Sequence, residues 1–411
     1  MTCQRILFVN QYFPPDSAST GNLLGEMCED LVERGHEVHV VAGLPSYNST
    51  ERRSRRLITR ERWHGVRVTR TFSTTFARAS TAGRLANYFT FLTSALLGCL
   101  RLPRPDVVVA MTDPPVVGVV AWVAARIRHV PMVLWCQDVF PEAWVVLGWL
   151  RPGPVTDWLG SISRFVLRRS ASVIAIGDDM RERLVAKGVP RARVFVVPNW
   201  SDSSCVFPTD GEAFRSAWGL NGSLLLMHSG NVGLSQALDS IVDAMAMLTP
   251  DQVQLAIVGD GAGKAAIEER VRAKGLSNVR FLPYQAKESL AESLSAADVH
   301  LVSRKRGLAG YVVPSKVYGI MAAGRPFIAA VDSDSEVAQI IRRHDCGVLV
   351  EPENPTALAN AVRELAADPE RMQELGRRGR EALVGHYDRP LAVARFEALL
   401  RETVIPAESS S

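Results

Sequence analysis

Residues 198–222 read PNWSDSSCVFPTDGEAFRSAWGLNG, and this stretch decides how the chain divides. It is rich in Ser, Asp, Gly and Pro, which punctuate regular structure rather than extend it. On both sides of it, short β-branched apolar runs alternate with longer helical periodicities. The strands expected before it are 5–9, 38–42, 66–71, 107–111, 133–136, 172–176 and 194–197; those after it are 224–228, 254–258, 278–282, 298–303, 326–330 and 347–350. These runs are apolar throughout rather than alternating, as in parallel strands buried on both faces. Their alternation with helices argues for βαβ units. The fold class is therefore α/β, with two doubly wound parallel-sheet domains in tandem. We expect a first domain over 1–198, a linker over 199–223, a second domain over 224–385, a C-terminal helix over 386–405 and a loose tail over 406–411.

The 411 residues, 47% hydrophobic and 22% charged, exclude a disordered, fibrous or coiled-coil chain. The formal charge is only +4. Its distribution is uneven: ten arginines between Arg52 and Arg84 face Glu61 alone, a local +9 that leaves −5 for the remainder. No aromatic interleaving accompanies the arginines, so a nucleic-acid partner is not expected. The six cysteines lie far apart without a C-x-x-C pair, which asks for neither disulfides nor zinc. The start runs directly into RILFV, so we expect a cytoplasmic protein. The uncharged stretch 85–100 is shorter than the roughly 20 apolar residues of a spanning helix.

Several segments carry chemistry, each with a plainer reading beside it. The first loop, NQYFPPDSASTGNLLGEM, leads through Ser19-Thr20-Gly21 into a helix near Asn22, whose N-terminal N–H groups would suit a diphosphate. Many α/β proteins also have a long first loop. Val258-Gly259-Asp260-Gly261-Ala262-Gly263-Lys264 follows a strand, yet it fails as a dinucleotide fingerprint because Lys264 stands at the third Gly, and it fails as a P-loop. Its glycines could simply make a tight turn. Asp332-Ser333-Asp334 has the D-x-D pattern of metal sites but precedes a helix near Glu336, where we read it as a cap and expect no metal. His36 and His39 read as turn or packing residues.

Strand 133–136 ends in Gln137-Asp138, at the end of a parallel strand where ligands bind. Asp138 either orients or deprotonates a hydroxyl, or caps the following helix. Ser303-Arg304-Lys305-Arg306 and Lys316 place fixed positive charge after another strand, where it would neutralise a diphosphate or merely coat a loop. Lys316 follows Pro314-Ser315 at a helix start, where a cation is disfavoured without an anion nearby.

Together these residues resemble a bacterial retaining glycosyltransferase of family 4. The carriers are FVNQYFPPDSASTGNLLGEMCEDLVERGHEVHVVAGLPSY, LWCQDVFPEAW, VPNW, MHSGNVGLSQALDSI, IVGDGAGK and VVPSKVYGIMAAGRP, which cover essentially the whole chain. It is most similar to the colanic-acid and O-antigen type, including N-acetylfucosamine transferases. The resemblance implies the GT-B fold: two Rossmann-like domains facing a central cleft, the C-terminal helix packing back toward the first. It further implies a nucleotide-diphosphate sugar, with UDP as the expected nucleotide, held by the second domain, a glycan or lipid-diphosphate-linked acceptor held by the first, and no cofactor or metal.

On this resemblance the catalytic candidates are Asp138, Lys316 and Arg304. The donor-binding candidates are Gly21, Asn231, Gly259, Gly261, Phe281, Tyr284, Lys305, Ser315 and Tyr318, and the acceptor-binding candidates are Phe13, Gln137 and Arg84. The sequence departs from the family pattern in three places. Gln137 stands where many members have His, Tyr311 and Gly319 stand where members carry two glutamates, and Asn231 and Gln236 roughly replace the usual phosphate-gripping Arg and Lys. The Arg52 to Arg84 segment beside the apolar 85–100 would suit an anionic membrane surface at the cytoplasmic face, or would be solvated beside a core helix. Rival readings are a nucleotide-sugar 2-epimerase on the same fold and a non-catalytic glycan- or lipid-binding protein.

Overall fold

The computed structural model describes residues 3–16, 18–45, 57–74, 76 and 81–404, with the side chains of 81, 82, 84 and 85 outside the described set. The chain forms two compact units. The first comprises the chain up to Val145, Leu150–Val197 and the chain from Val393 onward; the second comprises Val146–Trp149 and Pro198–Ala392.

The first unit is built on β1 (Arg5–Val9), β2 (Glu37–Gly43), β3 (Ile58–Trp63), β4 (Val66–Thr71), β5 (Val107–Ala110), β6 (Met132–Trp135), β7 (Ser172–Ala175) and β8 (Val194–Val196). Their order in the sheet is β3-β4-β2-β1-β5-β6-β7-β8. Phe8 in β1 lies in register with Val40 on one side and Val109 on the other, and all three are fully buried. That burial explains why the central strands read as unbroken apolar runs.

β3 is a strand that the apolar-run reading missed. It pairs antiparallel with β4 through the two-residue turn His64-Gly65, both at positive φ (44° and 82°), the geometry of a type I′ hairpin. Its sequence, ITRERW, is half charged because it is an exposed edge strand.

The second unit is built on β9 (Leu224–Ser229), β10 (Val253–Val258), β11 (Val279–Leu282), β12 (Val299–Ser303), β13 (Phe327–Ala330) and β14 (Gly347–Val350), ordered β11-β10-β9-β12-β13-β14. All its pairings are parallel. The stretch 199–223, read as a linker, belongs to this unit. It contains helix Glu212–Trp218, whose Phe214 packs with Leu220, Leu225 and Met227 in a buried cluster. Residues 406–411 lie outside the described residues.

The last helix, Arg389–Val404, crosses from the second unit into the first at Val393. Phe396 is fully buried, stacked on Phe8 at 6.2 Å and edge-on to Trp135 at 5.0 Å between ring centroids. Beside it, Glu397 accepts from Arg34 Nη1 and pairs with His36 Nε2, each at 3.0 Å. His36 is thereby a packing residue, its Nδ1 accepting the Gln4 N–H at 3.2 Å. None of the six cysteines is in a disulfide. Among the described residues no helix is long and apolar enough to cross a membrane.

Phe396→Ala removes the ring that joins Phe8 to Trp135, and the cavity left should cost the first unit about 3–5 kcal/mol. Urea unfolding followed by tryptophan fluorescence should show the midpoint of that unit falling. An unchanged profile would show that this helix is no part of the core.

Candidate functional site

Each sheet reverses its strand order once, between β1 and β5 in the first unit and between β9 and β12 in the second. Loops leaving neighbouring strands at such a point go to opposite faces of the sheet and open a crevice at the carboxyl ends. The chemistry-bearing residues of this chain gather at these two places.

In the second unit, β9 ends in His228 and Ser229 followed by Gly230, β12 ends in Ser303 followed by Arg304 and Lys305, and helix Lys316–Ala322 starts beside them. Lys316 Nζ lies 3.0 Å from Nε2 of the fully buried His228. It also faces Gly230, where an added Cβ would stand 3.7 Å from it. Lys316 has no carboxylate partner among the described residues, and burial, then the Arg304 charge, hold its pKa well below the ordinary value. Burial, then the Lys316 charge, hold the His228 imidazole well below its own, so the histidine stays neutral against the ammonium. Arg304 Nη1 donates to Ser235 Oγ at 3.0 Å, and the Lys305 N–H donates to the Ser235 carbonyl at 3.0 Å. Two cations on separate elements thus converge where a helix begins, an arrangement that takes an anion. Arg306, by contrast, pairs with Glu351 at 2.9 Å on the surface.

The glycine turn after β10 locks onto the loop after β9. Gly230 donates to the Val258 carbonyl and Val232 to the Asp260 carbonyl, both at 2.9 Å. Gly259 has φ +140°, and a Cβ there would collide with the Gly230 carbonyl oxygen; one at Gly261 would collide with Asn231 and Val232. These glycines are therefore required by backbone packing whatever else they touch. Tyr284 stands 56% exposed with its hydroxyl donating to the Asp260 carbonyl at 3.1 Å, leaving an accessible ring over this loop pair.

In the first unit, the loops leaving β1, β5 and β6 are tied together. Gln11 N donates to the Asp113 carbonyl at 2.9 Å, Thr20 Oγ1 to Asp113 Oδ2 at 3.3 Å, and Thr112 Oγ1 accepts the N–H groups of Gln137 (3.0 Å) and Asp138 (3.3 Å). Gly21 sits in the first turn of helix Ser19–Glu33, close enough to Tyr12 and Phe13 that a Cβ would touch their backbone at 3.3–3.4 Å. Asp138 is exposed and Gln137 buried. Because the next helix spans Glu142–Val146, Asp138 does not stand at its N-cap.

Several candidates are misplaced by the sequence reading. Phe13 is fully buried with its ring edge-on to Trp63 at 5.2 Å, so it belongs to the core and not to an acceptor surface. Tyr318 is fully buried in the core cluster around β12 and β13, and Phe281 packs against the second unit's core. Ser315 stands at the N-cap position of helix Lys316–Ala322 without a side-chain cap bond. Asn231 is exposed, Gln236 is buried, and the side chain of Arg84 lies outside the described residues. The cap of helix Glu336–His344 is Ser335, accepting from Ala338 N, while Asp332 accepts the N–H groups of Gly307 (2.8 Å) and Ala309 (3.3 Å). A Cβ at Gly319 would lie 3.3 Å from Leu294 Cδ1, so a larger side chain there would press on the core. Sequence reasoning missed His228; its signal was a polar residue at the end of an apolar strand, the same that singled out Gln137.

The model of glycosyl transferase 4-like domains matches residues 20–200, and that of glycosyl transferases group 1 matches residues 211–382. The chain belongs to the family 4 glycosyltransferases. This glycosyltransferase is 29% identical over 373 residues to the putative colanic acid biosynthesis glycosyl transferase WcaI of Escherichia coli K12, covering 88% of this chain and 91% of that one. It is 29% identical over 309 residues to the probable glycosyltransferase WbjE of Pseudomonas aeruginosa, covering 73% and 76%. Its structure resembles that of Anabaena HepE in complex with UDP and glucose, with a TM-score of 0.75 at 16% identity over 97% of this chain and 99% of that one. The fold is GT-B.

Lys316→Met should stabilise the unliganded glycosyltransferase, because it removes a desolvated cation and keeps the stem. The sign follows from linkage: with the folded pKa lowered, the unfolded chain binds more protons, so the cost is present at neutral pH and fades as pH rises toward the unfolded value of about 10.4. Thermal unfolding should show the variant about 2–4 °C higher at pH ~7, with the gap closing toward pH ~10. A lower variant Tm at neutral pH would show that Lys316 supports the fold.

Proposed function

We propose that this glycosyltransferase moves a sugar, with retention, from a UDP-sugar to a hydroxyl of a glycan or lipid-diphosphate-linked acceptor in cell-surface polysaccharide synthesis. The observation that carries the reading is Lys316, half-buried against His228 beside Arg304 and without a carboxylate partner among the described residues. An ammonium so placed is stabilised by a diphosphate and would oppose the charge that develops on the leaving group. Arg304 adds a second cation, Lys305 a third nearby, and Tyr284 a ring on which a base can stack. Transfer without a metal is supported by Asp332, whose Oδ2 accepts two backbone N–H groups of the loop after β12. On the acceptor side, the exposed Asp138 is held by Thr112 at the end of β6, where it can orient a hydroxyl or accept its proton.

The biosynthetic setting rests on the one reported relative named for colanic acid and the donor class on the UDP-bound HepE. Retention rests on the family. Association with the cytoplasmic face of a membrane is supported by Phe89 and Leu97, 68% and 51% exposed on the helix Thr81–Leu100, which is uncharged from Leu85 onward.

Binding of UDP should raise the Lys316 pKa, since the diphosphate favours the charge that burial opposes; a proton is taken up, and affinity falls, as pH rises through the range where the free protein's Lys316 loses its proton. Calorimetry across pH ~7 to ~10 in two buffers of different ionisation enthalpy reads this directly. Lys316→Met should lose proton uptake and about 10–100-fold in affinity, with chelator changing neither. Release of a proton, or equal UDP binding by the variant, would refute the donor site. UDP release from a UDP-sugar only when an acceptor is present separates transfer from epimerisation.

A further inference from the structure

We propose that the first unit holds a second anion site, for a phosphate-bearing ligand, at the end of its sheet away from the β1/β5 crevice. A cavity of about 780 Å³ opens there. It is lined by Arg60 and Arg62 of β3, Arg67 of β4, His39 of β2, Arg101 at the end of helix Thr81–Leu100 and Arg128 at the end of helix Val117–Arg128. Arg67 and His39 lie early in their parallel strands, and Arg101 and Arg128 lie on connections that enter β5 and β6, so the cavity belongs to the amino ends of the strands. The donor residues sit in the other unit altogether.

The sheet geometry brings these charges together. Side chains two apart share a face, and Arg62 pairs directly across from Arg67, as Arg60 does from Thr69. Like charges placed opposite each other on antiparallel strands cost stability. Arg67 is compensated by Glu37 at 2.5 Å, but Arg60, Arg62 and Arg101 have no carboxylate partner among the described residues. Glu61 also borders the cavity, where its Oε1 accepts from Nε of the buried Arg70 at 2.8 Å, so the lining carries one carboxylate against its five arginines.

Charged residues on an edge strand also hinder edge-to-edge pairing, which accounts for Arg60 and Arg62 alone. It does not account for Arg101 and Arg128, which reach the same cavity from the helical layer. Arg128 Nη2 donates to the carbonyls of Leu100 (2.5 Å) and Leu102 (2.9 Å), holding the segment that carries Arg101. Guanidinium groups converging from two layers on a space of ligand size form a fork for phosphate oxygens. Leu102 and Pro103 offer apolar wall to the remainder of the ligand.

The test uses pyrophosphate as the free ligand and vesicles of phosphatidylcholine, with and without phosphatidic acid, as the lipid source. Measurements in the Lys316→Met background weaken the donor-site contribution about 10–100-fold, and the glutamine pair touches only the first unit, so the donor reading and this one fail separately. Pyrophosphate should still bind Lys316→Met by calorimetry, and adding Arg62→Gln with Arg101→Gln should weaken it about tenfold or more at a Tm that does not fall. If phosphatidic-acid vesicles also lose binding in the triple variant, the ligand is a lipid headgroup; if only pyrophosphate binding falls, the ligand is soluble. Absence of pyrophosphate binding to Lys316→Met, or binding unaltered by the two glutamines, would overturn the site and leave the arginines as edge protection.

Discussion

Parallel strands bring the chain back through a helix on one face of the sheet, and that constraint places nearly everything of chemical interest here. Right-handed crossovers fill both faces, which buries the strands and leaves only their two ends open. Where the strand order reverses, consecutive loops part and a crevice remains. The first unit meets this condition beside β1 and the second beside β9; Asp138 and Arg304 follow strand ends, His228 is the penultimate residue of β9, and Lys316 opens the helix that follows β12.

The second unit then holds its positive charge under unusual conditions. A carboxylate beside Lys316 would ease its burial but would also occupy the position of an incoming anion. The structure instead supplies a neutral histidine, whose depressed pKa keeps two adjacent cations from forming. Such a site stores an unfavourable electrostatic state that ligand binding relieves, at the expense of stability in the free protein. The interlocked glycine turns at Gly230, Gly259 and Gly261 keep the surrounding backbone close-packed so that the charge has little room to relax.

The strands were legible in the sequence because burial on both faces imposes unbroken apolar runs, and thirteen of the fourteen expected or observed runs agree to within a residue or so at each end. β3 was not, because an edge strand is free to carry charge, although His64-Gly65 between two β-rich segments marked the hairpin. Arg304 and Lys316 were readable as cations after a strand and at a helix start. Phe13, Phe281 and Tyr318 were not readable as core residues, since an aromatic ring near a motif serves packing or binding equally well until its neighbours are known. His228 escaped notice because one polar residue at the end of LLLMH resembles a strand terminus.

The path of the last helix bears on how the molecule is made. Phe8 and Trp135 leave the ribosome early, yet the ring that completes their contact is Phe396, with the roughly 195 residues from Pro198 to Ala392 synthesised in between. At about 5–20 residues per second that interval is about 10–40 s. For that time the amino-terminal body is an unfinished core with an apolar seam open to other chains, whereas the later body has its last strand by Val350, before Phe396 is made. Vectorial synthesis therefore completes this protein in the reverse of its sequence order, and the nascent amino-terminal half is the part most in need of a holding chaperone.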